Sequence, residues 1–108
     1  QGYYVKVGRQ VTVWFKVGFN GNLPSGNVFM SMPFAQGNDS GFDYPVSGII
    51  NNQYSNSSSL DGKTLVIEDY TSSNNQWCKL GKDSKTALQW SDIGTSGRLF
   101  GHYTYVAN

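Results

Sequence analysis

Charge is scarce in this chain: only 14% of its 108 residues are Asp, Glu, Lys or Arg, and the formal net charge is +1. The basic residues occur singly, so they build no basic run, and specific binding to DNA or RNA is disfavoured. Cysteine is limited to Cys78 and histidine to His102. A lone cysteine cannot close an internal disulfide, so the fold does not depend on oxidation; this fits synthesis in a reducing cytoplasm and reads Cys78 as a buried, inert thiol. No stretch approaches the ~18 consecutive apolar residues of a membrane-spanning helix. The composition also lacks the Ala, Leu, Glu and Lys richness of a helical bundle, and helical spacing is missing from the first third of the chain. It equally lacks the high charge and aromatic poverty of a disordered tail.

What the chain does have is aromatics, at 15%, and 13 glycines scattered among Asn and Ser. This is the composition of short strands joined by many turns. Tyr3 to Val7 alternates with period two, Gly8-Arg9-Gln10 reads as a turn, and Val11 to Phe19 follows as a long strand. In that strand Val11, Val13, Phe15, Val17 and Phe19 form an inward row, with Thr12, Trp14, Lys16 and Gly18 on the other side. Asn20-Gly21 and Pro24-Ser25-Gly26 supply a turn, and Asn27 to Met32 returns as a third strand. Gln36 to Tyr44, bounded by Pro33 and Pro45, reads as loop. Val46 to Tyr54, Lys63 to Tyr70 after Asp61-Gly62, Gln76 to Leu80, Thr86 to Trp90 and Gly97 to Val106 read as further strands. Seven or eight short strands with regular turn signals predict an all-β domain, an antiparallel sandwich of jelly-roll type, spanning residues 1–108 as one unit. Strand pattern begins almost at Gln1 and runs almost to Asn108, so we expect the carboxyl-terminal fragment of a longer polypeptide.

Chemistry is sparsely signalled. A hydrolytic triad needs a base, and His102, flanked by Gly101 and Tyr103 in the last strand, has no companion set. Paired carboxylates for glycoside hydrolysis are not evident either. Glu68, Asp69 and Asp92 fall in strand or strand-edge contexts, while Asp39, Asp43, Asp61 and Asp83 fall in turns, where aspartate caps its own backbone. Asn38-Asp39-Ser40-Gly41-Phe42-Asp43 has the oxygen-rich look of a cation loop but lacks the bidentate acid and the flanking helices of the helix-loop-helix type. The expectation is therefore a protein that is not an enzyme and holds no metal or cofactor. Asn38-Asp39-Ser40 and Asn56-Ser57-Ser58 match the N-glycosylation pattern as chance occurrences in an Asn/Ser-rich chain.

The aromatics carry more information. Tyr44, Tyr54, Tyr70, Trp77 and Trp90 each lie at a strand end beside Asn, Gln, Ser or Asp. A glycan site requires this pairing, a flat apolar ring for the sugar's C–H face with amides and carboxylates for its hydroxyls. The competing role for each is plugging a core or subunit interface, where Trp and Tyr dominate burial. Trp14 and Tyr4 are expected to face away from the inward row of the second strand, which makes them candidates for an interface between chains.

Three segments resemble, in order, the head domain of bacteriophage tail fibres and tailspikes: Gly2-Tyr3-Tyr4-Val5-Lys6-Val7-Gly8 leading into Val11-Val13-Phe15; Met32-Pro33-Phe34-Ala35, with Met where Leu is usual; and Asp92-Ile93-Gly94 through Ser96-Gly97-Arg98-Leu99-Phe100-Gly101-His102-Tyr103. The resemblance implies a homotrimer at the virion's fibre or spike tip that touches host cell-surface polysaccharide. It carries over no binding residue, because the polar middle of the chain departs from the family pattern. A purely structural tip, trimerising and capping a fibre or a polysaccharide-degrading spike, is the alternative.

Overall fold

The computed structural model describes residues 1–21, 23–39, 42–43, 46–52, 60, 63–68, 76–83 and 86–108. In chain order the elements are β1 (Gly2–Val7), β2 (Gln10–Asn20), β3 (Phe29–Ser31), β4 (Asn38–Asp39), β5 (Phe42–Asp43), β6 (Ser47–Asn52), β7 (Thr64–Glu68), β8 (Trp77–Gly81), α1 (Trp90–Ile93) and β9 (Ser96–Val106). Seven strands form one antiparallel sheet in the order β1-β2-β9-β6-β7-β8-β3, curled into a half-barrel, and β4 and β5 pair separately. The all-β expectation therefore holds, in the form of a single curled sheet.

The long strands build the centre. Along β2 and β9, eleven residues of each pair from Gln10↔Val106 to Asn20↔Ser96. Residues directly opposite share a face, so Val11, Val13 and Phe15 of β2 sit beside Tyr105, Tyr103 and Gly101 of β9 on the inner side. Ile50, Leu65, Leu80 and Met30 continue that face through β6, β7, β8 and β3. Val11, Ile50 and Leu65 are fully buried, and Leu60, Leu88 and Ile93 close over the inner face from outside the strands. The inward row of β2 is buried only as far as Phe15: Val17 is exposed and Phe19 half-buried. Cys78 is buried, as expected, its Sγ 3.6 Å from the Met30 carbonyl.

Two tyrosines tie the ends of the curl. The Tyr105 hydroxyl donates to the Phe34 carbonyl at 2.9 Å and accepts from the Phe34 N–H at 3.1 Å, which holds the segment after β3 against β9. The Tyr103 hydroxyl lies 3.5 Å from the Ser31 carbonyl. Burial raises both phenols above their ordinary value; for Tyr103 the neighbouring Cys78 and Tyr105 add to the effect, while for Tyr105 the Phe34 hydrogen bond opposes it.

Four local expectations are corrected. Thr86 to Trp90 is not a strand: Ala87 and Gln89 make isolated bridges, and Trp90 opens a single helical turn. Asp92 holds that turn by accepting from the Gln89 N–H at 2.8 Å, so it belongs to a cap and not to a strand edge. The stretch from Gln36 to Tyr44 is not all loop, because β4 and β5 pair Asn38↔Asp43 and Asp39↔Phe42.

The fourth correction concerns register. Gly8 and Arg9 alone form the turn, with Gly8 at φ +60°, so Val7 pairs with Gln10 and Tyr4 falls opposite Val13. A turn of three residues would have set Tyr4 opposite Trp14; one residue fewer flips every side chain of β1 relative to β2. Tyr4 therefore shares the inner face with the Val11-Val13-Phe15 row, and Trp14 stands on the outer face opposite Tyr3.

Candidate functional site

An open cleft of about 650 Å³ lies where the β2–β3 connection meets the segment through α1. Leu23, Pro24, Ser25, Gln89, Trp90, Ser91 and Thr95 line it, with Gly21, Gly26 and Gly94. Its two walls are stitched together by backbone hydrogen bonds: Gly21 N to Thr95 O at 2.9 Å, Trp90 N to Gly26 O at 3.0 Å and Val28 N to Leu88 O at 2.9 Å. Asn27 and Gln89 add an antiparallel bridge. The helical turn is braced from behind, since Lys82 Nζ lies 3.3 Å from Asp92 Oδ1 while the other carboxylate oxygen caps Gln89. Asp92 is thus engaged in holding the wall.

Of the two glycan candidates among the described residues, Trp90 lines the cleft and Trp77 does not. The Trp90 side chain is half-buried, packed on the core on one side and reaching the cleft on the other. The polar residues Gln89, Ser25, Ser91 and Thr95 share the lining with it, together with Leu23 and Pro24. A broad ring flanked by neutral donors and acceptors suits a ligand with an apolar face and many hydroxyls. The indole was legible as a candidate from the sequence. Its partners across the cleft were not, since Pro24-Ser25-Gly26 carries only a turn signal.

Trp77 is 42% exposed and opposite Ser31, on the outer face of the sheet. It stands at the start of β8, and at ~3.4 Å per residue the strand carries it about 10 Å from Leu80, whose carbonyl accepts from the Leu88 N–H. The structure does not bring Trp77 and Trp90 to one site. Tyr44, Tyr54 and Tyr70 lie outside the described residues.

The interface candidates separate as well. Trp14, 46% exposed, belongs to a cross-strand row on the outer face that runs Tyr3, Trp14, His102, Ile49, Val66 across β1, β2, β9, β6 and β7. Tyr4 sits on the inner side, edge-on to the Phe34 ring at 5.2 Å, and Lys6 Nζ lies 5.2 Å from the same ring. His102 is exposed within the outer row, between Trp14 and Ile49.

The two acidic side chains that the structure describes, Asp83 and Asp92, both cap backbone N–H groups. Asp83 Oδ1 accepts from Thr86 N–H at 2.8 Å, the self-capping expected of a turn aspartate. Asp69 and Asp61 lie outside the described residues. Among the described residues no group of three His, Cys, Asp or Glu is placed to hold a metal ion, and no helix is long and apolar enough to cross a membrane. No protein-family model matches this chain, and no curated protein or solved structure matches it either.

Proposed function

We propose that this chain is the distal, non-enzymatic head of a phage tail fibre or tailspike, and that it attaches the virion to a host cell-surface glycan through the Trp90 cleft. The cleft carries the reading: one indole presented among Gln89, Ser25, Ser91 and Thr95 offers a stacking surface with neutral hydrogen-bonding groups around it. The low charge of the chain suits a neutral polysaccharide, which a basic patch would do nothing to attract. Weak single sites of this kind gain from presentation on several copies, which raises effective concentration without any new contact.

Isothermal titration calorimetry of host polysaccharide fragments against the protein tests the site. Trp90→Ala is expected to weaken binding at least about tenfold, or ~1.4 kcal/mol. Because Trp90 also packs on the core, the exposed Ser25→Ala and Ser91→Ala variants are tested beside it, and each is expected to reduce affinity while the circular dichroism spectrum stays unchanged. Unaltered adsorption to host cells in all three removes the cleft from the proposal.

The second reading is a structural tip, favoured by the outer row of Tyr3, Trp14, Ile49 and Val66. In it, sibling chains cover that face, supply the second layer of a sandwich and complete a homotrimer; Trp14 matters and the cleft does not. Trp14→Asp then disperses the assembly, whereas under the attachment reading alone it leaves sugar binding by each chain intact.

A further inference from the structure

β1 is an edge strand whose six residues are all exposed. Tyr3, Tyr4, Val5 and Val7 are 70%, 53%, 53% and 74% exposed. Gln1 and Lys16 exchange both backbone hydrogen bonds, at 2.9 and 2.8 Å. Antiparallel pairs alternate, so Tyr3, Val5 and Val7 also direct their backbone groups to β2. Gly2, Tyr4 and Lys6 therefore turn theirs to the open edge, where no backbone partner meets them among the described residues. The usual guards of such an edge are scarce: it has no proline and no bulge, and Lys6 is its one charge.

We propose that β1 pairs, antiparallel and about a two-fold axis at Tyr4, with β1 of a second copy of this chain. The strand is its own complement in that register. Gly2, Tyr4 and Lys6 meet Lys6, Tyr4 and Gly2 of the second copy, so every outward donor finds an acceptor. On the outer face Tyr3 lies opposite Val5 and Val5 opposite Tyr3, aromatic on β-branched in the close, non-hydrogen-bonded positions. The charges are kept apart as well. Each Lys6 faces a glycine, and the two lysines are displaced by about 14 Å along the strands, beyond the ~8 Å over which exposed charges act at physiological salt. Tyr4 and Lys6 are already placed against the Phe34 ring, so little ordering remains for association.

The other sheet edge does not offer an equivalent partner. β3 is three residues long, and beside it Met32 N–H donates to the Gln76 carbonyl while Val28 accepts from the Leu80 N–H and donates to the Leu88 carbonyl. Pairing through β1 joins two seven-stranded sheets edge to edge and aligns the outer rows of both copies. It makes no use of the Trp90 cleft, so it stands or falls separately from glycan binding, and it is an alternative to the homotrimer of the structural-tip reading.

Sedimentation velocity across a concentration series tests the pairing. The intact chain is expected to approach twice its 11.9 kDa mass at high concentration. Tyr4→Pro removes an outward N–H without touching the bonds to β2, and Tyr4→Lys or Tyr4→Glu sets like charges opposite each other on the axis. Each of the three is expected to remain monomeric with an unchanged β-sheet spectrum. An equimolar mixture of Tyr4→Lys and Tyr4→Glu is expected to recover the dimer, a rescue that mere loss of stability would not allow. A monomeric intact chain at the highest concentration, a species of three copies, a dimer that survives Tyr4→Pro, or a mixture that stays monomeric each overturns the proposal.

Discussion

Tyr105 shows how much one hydroxyl can organise. Both backbone groups of Phe34 end on it, and the segment after β3 is thereby fixed to β9 across 71 positions of chain. Tyr105→Phe leaves those two groups without their partner, and the expected loss is about 2 kcal/mol, read as a fall of roughly 10 °C in Tm. The raised pKa of Tyr103 and Tyr105 gives a second readout. The unfolded chain releases these protons near the ordinary value of 10.0, while the folded chain holds them to higher pH. Their contribution is therefore whole below pH 10 and is lost as pH climbs above it toward the folded values. A chemical denaturation series is expected to be insensitive to these groups up to about pH 9 and to decline beyond pH 10, less steeply in Tyr105→Phe.

Among the elements, the contact between β6 and β9 is the most demanding. Gly48 lies opposite Tyr103, and a β-carbon there would run into the His102 carbonyl and the Tyr103 backbone. Backbone atoms within a central ladder cannot step aside, so Gly48→Ala is expected to cost about 3 kcal/mol or more. Gly8→Ala is the useful contrast. At φ +60° it meets nothing within 4 Å, so only left-handed strain opposes it, about 1 kcal/mol. Urea midpoints of the two variants measure the difference. The element scale is also where sequence reading succeeds and fails most visibly. β2 and β9 are legible because alternation persists over many residues, whereas α1 is a single turn with no room for helical periodicity. The β1–β2 register turns on whether Gln10 is counted as turn or strand, and period-two alternation is blind to that choice.

Across the whole molecule, protection follows position in the sheet. β2, β9 and β6 are interior strands with partners on both sides, while β1 and β3 are its edges. Amide hydrogen exchange is expected to be slowest along β2 and β9. In β1 it is expected to alternate, with Tyr3, Val5 and Val7 slow and Tyr4 and Lys6 fast in dilute solution. A uniform rate along β1 under dilute conditions would contradict the register. The Trp90 cleft belongs to the same scale, because it is built from residues near 21–26 and 89–95 that meet only after β9 has returned beside β2.

Alternation of apolar residues, the turn chemistry around Gly8 and Gly21 and the scarcity of charge were sufficient, read in order along the chain, to make this an all-β protein with Val11, Val13 and Phe15 turned inward. These are local properties, written in the spacing of neighbours, and folding has only to express them. Which face Tyr4 occupies, that Asp92 braces a helical turn, that Trp90 stands apart from Trp77, and that β1 is left with an open edge were decided by tertiary structure. Each depends on pairing between segments distant along the chain, where a register one residue different would satisfy the same pattern and set other side chains together.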